Sequence, residues 1–349
     1  MLLSFILSFN VAADVILPQV VYTINGSVWA LSVSDEYISV ASDNGFVYLL
    51  NKQGVTLWQL KLTDGITAVN LNDDVIAANT MDEKLYIINL SGQIKDYLKV
   101  TGYTEHSKAL HVRGDNVVLG TRSGDVFFFE GGELMWNKKL DAYVIESIID
   151  ENLIKVVSDK RIYVFDYYGR TLLNKSFPSY IRSTSITPDY FSAGLGNNEL
   201  YLVDNRGETI WSNQLRDQIG VIDISTHVVC GLRNGEVHVF DLAGREINVF
   251  NLNAPVVSIS KLTNNILAST LNNRLYLLNI YGGVEWVQKT EGYVTTSHLS
   301  RDYLIAGSSL GELYYLRMFR NPQQVKLVTG FVILSLVIGL IILIISLRY

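Results

Sequence analysis

Five histidines, one cysteine and a few paired carboxylates are the residues of this 349-residue chain that could do chemistry. Their spacing argues against most of it. His106, His111, His227, His238 and His298 never fall together on one predicted element at the short spacing that metal ligands need. His106 and His111 straddle a predicted loop and strand. Only His111 and His298, both expected on innermost strands, could meet across a central channel. No metal site is assigned. Cys230 is the single cysteine, so an internal disulfide and any Cys-rich zinc or iron–sulfur site are excluded. In "THVVCGL" it reads as a small buried apolar residue. Asp73-Asp74 and Asp150-Glu151 fall in predicted turns, where solvated carboxylates are ordinary. No Gly-x-Ser-x-Gly, phosphate-cradling loop or HExxH is present. No catalytic residue and no cofactor are assigned. With 28 Lys and Arg against 34 Asp and Glu, the net charge of −6 also speaks against a nucleic-acid partner, which needs concentrated cations.

The elements around these residues repeat. Counting four positions into the strand after each turn gives Tyr48, Tyr86, Phe127, Tyr163, Tyr201, His238, Tyr276 and Tyr314. The gaps are 38, 41, 36, 38, 37, 38 and 38 residues. Within each copy the apolar period is two, as in "ISVAS", "VVCGL" and "LIAGS". Gly45, Gly124, Gly235 and Gly311, or Asn198 and Asn273, stand where a tight turn needs positive φ. Four strands per copy of about 40 residues, repeated radially, make a β-propeller. The eighth copy lacks its fourth strand, and "VILPQVVYTI" (15–24) is left over at the other end of the repeat. Pairing the two removes exposed edges. The reading is all-β: an eight-bladed propeller of four-stranded blades closed by the N-terminal strand.

The unit "SDNGFVYLLN", followed by Gly and then Trp four residues on, resembles the PQQ-like β-propeller repeat over about residues 15 to 318. The Gly–Trp spacing holds at Gly54–Trp58, Gly132–Trp136, Gly207–Trp211 and Gly282–Trp286. Copies two, four and six carry Asp96, Leu173 and Asn248 instead. Enzymes of that family have a vicinal cysteine pair and a calcium site, neither of which this chain can supply. The non-enzymatic members are membrane-attached scaffolds that bind other proteins, and the resemblance implies that role.

Two classes of residue follow from the propeller reading. Trp58, Trp136, Trp211 and Trp286 are expected to wedge between neighbouring blades. Tyr143, Tyr180 and Tyr293 stand just before innermost strands, with His106 and Gln218 in similar places. There they would rim one mouth of the channel as a binding face or pack between blades.

The termini differ from the repeat. Val325–Leu347 is almost uniformly apolar and long enough for one transmembrane helix, since about 20 residues span a bilayer core. Residues 1–13 resemble a signal peptide, although the first Lys or Arg is Lys52. The expected organisation is signal peptide 1–13, propeller 14–320, and anchor with a short tail 321–349. Export would put the propeller outside, where Asn25, Asn89 and Asn174 are glycosylation triplets. Arg317, Arg320 and Lys326 before the helix, against Arg348 after it, favour a cytoplasmic propeller instead. The export reading is preferred. The expected function is a membrane-anchored scaffold binding partner proteins in a surface or membrane assembly. The alternatives are a small-ligand sensor or quinoprotein-like enzyme using the channel, and a tail-anchored cytoplasmic adaptor.

Overall fold

The computed structural model describes residues 15–104 and 107–319, so the expected signal peptide and transmembrane anchor lie outside the described residues. Among the described residues no helix is long and apolar enough to cross a membrane. They form thirty-two strands, β1 to β32 in chain order, arranged as eight four-stranded sheets. Seven sheets are consecutive antiparallel meanders, and we number these blades 1 to 7 from β2 (Val28–Val33) onward. Blade 8 joins β30 (Val294–Leu299), β31 (Tyr303–Ser308) and β32 (Glu312–Phe319) to β1 (Val15–Thr23). β1 runs antiparallel to β32 from Val15 opposite Phe319 to Thr23 opposite Glu312, with one bulge between Pro18 and Val20. The sequence-level expectation of eight blades and an N-terminal closing strand is therefore met.

The reason these residues make blades is visible in the burial pattern. Second strands such as β7 (Val75–Thr80) are buried at every position, on both faces. Fourth strands such as β5 (Thr56–Lys61) and β21 (Thr209–Gln214) alternate exposed and half-buried residues. Continuous apolar runs thus lie in the middle of the blades, and alternating ones at the outer edge, as two-sided and one-sided burial dictate. The core lies between blades. One apolar cluster joins Ala41, Val47 and Leu49 of blade 1 to Ile76, Tyr86 and Ile88 of blade 2. Another joins Tyr303, Leu313 and Tyr315 of blade 8 to Val28, Val40 and Leu50 of blade 1.

Seams between blades are keyed on the outer side by one recurring contact. The Trp58 indole of blade 1 donates to the Leu90 carbonyl at 2.8 Å and covers Gly92. Trp136 donates to Tyr167 at 3.0 Å and covers Gly169; Trp211 donates to Leu242 at 3.1 Å and covers Gly244. Each glycine opens a turn at positive φ that a side chain would both strain and fill. Trp286 is half-buried in the cluster joining blades 7 and 8. Substitutes stand at two of the seams where Trp is absent. Leu173 covers Gly207, and the Asn248 amide donates to the Ile280 carbonyl at 3.2 Å. At the closing seam Tyr315 covers Gly54 and donates its hydroxyl to the Lys52 carbonyl.

Candidate functional site

One face of the ring carries both the connections between blades and the turns joining second to third strands. The two sets are tied by a repeated backbone hydrogen bond, from the turn to the residue preceding the innermost strand of the same blade. Gly196 N donates to Tyr180 O at 2.8 Å, Arg233 N to Gln218 O at 3.0 Å, and Ser309 N to Tyr293 O at 2.9 Å. In blade 3 the same bond runs from Arg122 N to Tyr103 O at 2.8 Å. Tyr103, not His106, therefore holds the position equivalent to the other tyrosines. His106 itself lies outside the described residues. Blade 3 inserts a short 3-10 turn, Ser107–Ala109, between this tyrosine and its innermost strand β10 (Leu110–Arg113). That insertion hid the equivalence, although "GYT" at 102–104 matches "GYV" at 292–294.

The tyrosines are not alike. Tyr103 accepts from the Arg122 guanidinium at 2.9 Å. Tyr143 is half-buried against the cluster containing Ile181 and Phe191, and its hydroxyl lies 3.3 Å from Asp159 Oδ1. Tyr180 roofs Gly196 and carries the Arg182 guanidinium 6.0 Å from its ring. Tyr293 is 44% exposed, and Leu310, which is 63% exposed, lies over the preceding Gly292. Gln218 is half-buried between blades 5 and 6. Packing accounts for Tyr143; Tyr180 and Tyr293 present surface.

Following the ring from blade 7 through 8 and 1 to 2, exposed apolar side chains recur on this face: Leu271, Tyr293, Leu310, Trp29 and Met81. Trp29 is 44% exposed because a bulge between Val28 and Ala30 turns it out of the start of β2. The corresponding turns of blades 3 to 6 carry Arg122-Ser123, Asp159-Lys160, Gly196-Asn197 and Arg233-Asn234. The exposed apolar groups of this face thus gather on blades 7, 8, 1 and 2, among polar turn residues such as Asp43-Asn44 and Asp82-Glu83, with exposed Tyr180 of blade 5 standing apart.

The channel wall holds a second group, which the sequence reading passed over. Glu146 on β14 (Val144–Asp150) is buried, accepts from Ile186 N at 3.3 Å, and is pushed up to about 7 by burial. Lys108 reaches from blade 3 to the Thr184 carbonyl of blade 5 at 3.1 Å and supplies the nearby positive charge. A space of about 180 Å³ lies beside Glu146, Lys108 and His111. His111 and His298 sit on innermost strands of blades 3 and 8, and burial holds each imidazole down at about 4. His111 Nδ1 accepts from Ile149 N at 3.2 Å. Among the described residues no three His, Cys, Asp or Glu side chains converge as metal ligands would. His238 is buried at the anchor position of blade 6, between Glu246 at 2.6 Å and Glu236 at 3.2 Å. Asp150, expected as a solvated turn residue, instead ends β14 and pairs at 2.8 Å with fully buried Lys155. A charge inside an apolar run, as in "VIESII" and "LIKVVS", was the available signal for both Glu146 and Lys155.

Comparison with known proteins agrees with this architecture. The sequence matches the PQQ_2 family described as outer membrane protein assembly factor BamB, over residues 19–173 and 98–318. The chain belongs to this family. No curated protein matches it. Among solved structures, BamB from Moraxella catarrhalis superimposes with a TM-score of 0.75 at 17% identity, covering 87% of this chain and 100% of that one. Sqt1 from Saccharomyces cerevisiae gives 0.76 at 15% identity, covering 86% and 98%. Sqt1 from Chaetomium thermophilum, bound to the N-terminus of the ribosomal protein L10, gives 0.69 at 14% identity, covering 83% and 96%. At such identities the superpositions establish the fold.

Proposed function

We propose that this propeller is a protein-binding scaffold, held at a membrane by Val325–Leu347 and performing no chemistry of its own. The observation that carries the reading is the arc Leu271–Tyr293–Leu310–Trp29–Met81 on one face of the ring. Trp and Tyr on a rigid surface are the usual energetic centre of an interface, with neighbouring contacts that exclude water. Family membership and the peptide-bound Sqt1 propeller support it. The chain's lack of a second cysteine supports setting aside quinoprotein chemistry.

The test is a pulldown from native membranes with the full-length chain. The wild-type chain should recover a stoichiometric protein partner. The double variant Trp29→Ser, Leu310→Glu should lose it while still melting cooperatively, its midpoint lowered only by the loss of the buried part of Trp29, since Trp29 is 44% and Leu310 63% exposed. Equal recovery by both chains would remove this face as the interface. We place the propeller on the extracytoplasmic side. Protease added to sealed cells or vesicles should then digest it; protection would favour the cytoplasmic adaptor that Arg317, Arg320 and Lys326 suggest.

A further inference from the structure

Every blade-to-blade seam that faces a described outer turn is closed by a side chain over that turn, except the seam between blades 2 and 3. There the keying position, on β9 (Ile94–Lys99), is Asp96, which is exposed and among the described residues bonds only its neighbour, accepting from Tyr97 N at 2.7 Å. The facing turn also departs from the others. β12 (Asp125–Glu130) and β13 (Glu133–Lys139) are joined by Gly131-Gly132 alone, with φ of 58° and 89°. That is the two-residue hairpin of mirror-image type. Blades 1, 2, 4, 5, 6 and 7 take three residues to turn, as from Asn51 to Val55. A methyl group placed on Gly131 or Gly132 would meet nothing within 4 Å, whereas one on Gly244 would lie 2.7 Å from the Trp211 indole.

A missing wedge and a shortened turn together leave a cavity of about 250 Å³ open to the outer rim. Its floor is apolar, with Ile87, Leu98, Val117 and Phe129, and Asp96 and Asp115 stand at its mouth beside Lys95. Glu130 and Glu133, both exposed, flank the turn. Neither Asp96 nor Asp115 is in an ion pair among the described residues.

The geometry points to this notch as a receptor for an aromatic side chain, Trp or Tyr, delivered by a partner protein segment that carries a Lys or Arg next to it. Neighbouring seams show what such a recess accepts. In them an indole or a phenol lies flat on the turn and donates to the turn's carbonyl. The floor supplies apolar area for the ring, and the carboxylates at the mouth supply the complement for the adjacent cation. The inference rests on the protein-binding reading above and names a second contact point, on the rim rather than the mouth face.

The probe is a fluorescein-labelled peptide, Ser-Lys-Trp-Lys-Ser, titrated into the purified full-length chain and followed by anisotropy, with Ser-Lys-Ala-Lys-Ser as control. The Trp peptide should bind saturably, and the Ala peptide at least about tenfold more weakly, the loss of one buried anchor. Asp96→Trp, which restores the wedge found in blade 1, should raise the melting temperature and weaken the Trp peptide about tenfold or more. Should Asp96→Trp not fold, Asp115→Lys at the exposed rim should weaken the same peptide by charge alone. Equal binding of the two peptides, or undiminished binding by these variants, overturns the notch. So does self-association of the chain that Asp96→Trp abolishes without any peptide binding, which would make the occupant a second copy. In the membrane pulldown, loss of the partner through Trp29→Ser, Leu310→Glu but not through Asp96→Trp overturns the notch and leaves the scaffold reading standing.

Discussion

Glu146 and Lys155 are ionisable side chains inside apolar strands, and each makes a different demand on the fold. Glu146 is pushed from 4.5 up to about 7 by burial. Between those values the folded chain keeps a proton that the unfolded chain has released, so stability falls as pH rises through this window. Glu146→Gln keeps the acceptor for Ile186 N and removes the titration. The variant should match the wild type near pH 4 and exceed it at pH 8 by as much as about 3 kcal/mol, the full value of such a displacement. Urea melts at the two pH values measure this, and a gap that does not widen with pH would refute it. Lys155 is the opposite case. Its ammonium is paired with Asp150 and donates to Thr187 O at 3.2 Å, to Asn205 Oδ1 at 3.0 Å and to Pro188 O, stitching blade 4 to blade 5. Lys155→Met removes the partner of the largely buried Asp150 carboxylate and the donor to Thr187 O, and should cost about 3 kcal/mol. Pro188 and Asn205 are exposed, and Pro188 O keeps a donor in the Asn205 amide. Arg113, 3.6 Å from Asp150, keeps that carboxylate from being stranded entirely. A denaturation midpoint equal to wild type would show that the acceptors find other partners.

At the scale of the element, the seam is the unit of stability, because each apolar cluster draws on two blades. Trp211 is half-buried, yet it both covers Gly244 and bonds Leu242 O. Trp211→Ala should cost about 3 kcal/mol, the low end for removing a buried aromatic. A thermal melt is the check, and an unchanged midpoint would deny the keying role. The repeat was legible in the sequence because every blade must bury the same run, so Tyr48, Tyr86 and Tyr276 recur in register at buried third-strand sites. The mouth was legible only in part. Tyr180 and Tyr293 announced themselves by standing directly before a strand, whereas Tyr103 is separated from its strand by the inserted 3-10 turn. Trp29 reads as one more strand residue, since a bulge leaves no mark in apolar alternation. Asp96 was visible as a departure from the Trp pattern. Its consequence was not, because a notch needs both sides of a seam, and the facing Gly131-Gly132 turn lies well along the chain.

For the whole molecule, the decisive contact is the one between its ends. β1 supplies the outer strand of blade 8, so the blade that meets blade 1 is built from both ends of the repeat. β32 without β1 would present a long unpaired edge from Glu312 to Phe319, the kind of edge that invites pairing with other chains. The closing seam is well made, since Tyr315 reaches from blade 8 over Gly54 of blade 1, and the Thr295 hydroxyl donates to Val28 O at 2.6 Å. Closure therefore does not depend on β1 alone, and loss of the strand should expose an edge rather than unfold the ring. Deleting residues 15–24 from the full-length chain should lower the melting midpoint and produce concentration-dependent association, both visible by light scattering during a thermal ramp. Adding the peptide Val-Ile-Leu-Pro-Gln-Val-Val-Tyr-Thr-Ile should restore a monodisperse species, because the vacated edge accepts a strand in one register, fixed by the bulge between Pro18 and Val20. A scrambled peptide of the same composition should not. A deletion variant that melts like the wild type and stays monodisperse without peptide would mean that seven complete blades and a three-stranded eighth close the ring by side-chain packing alone.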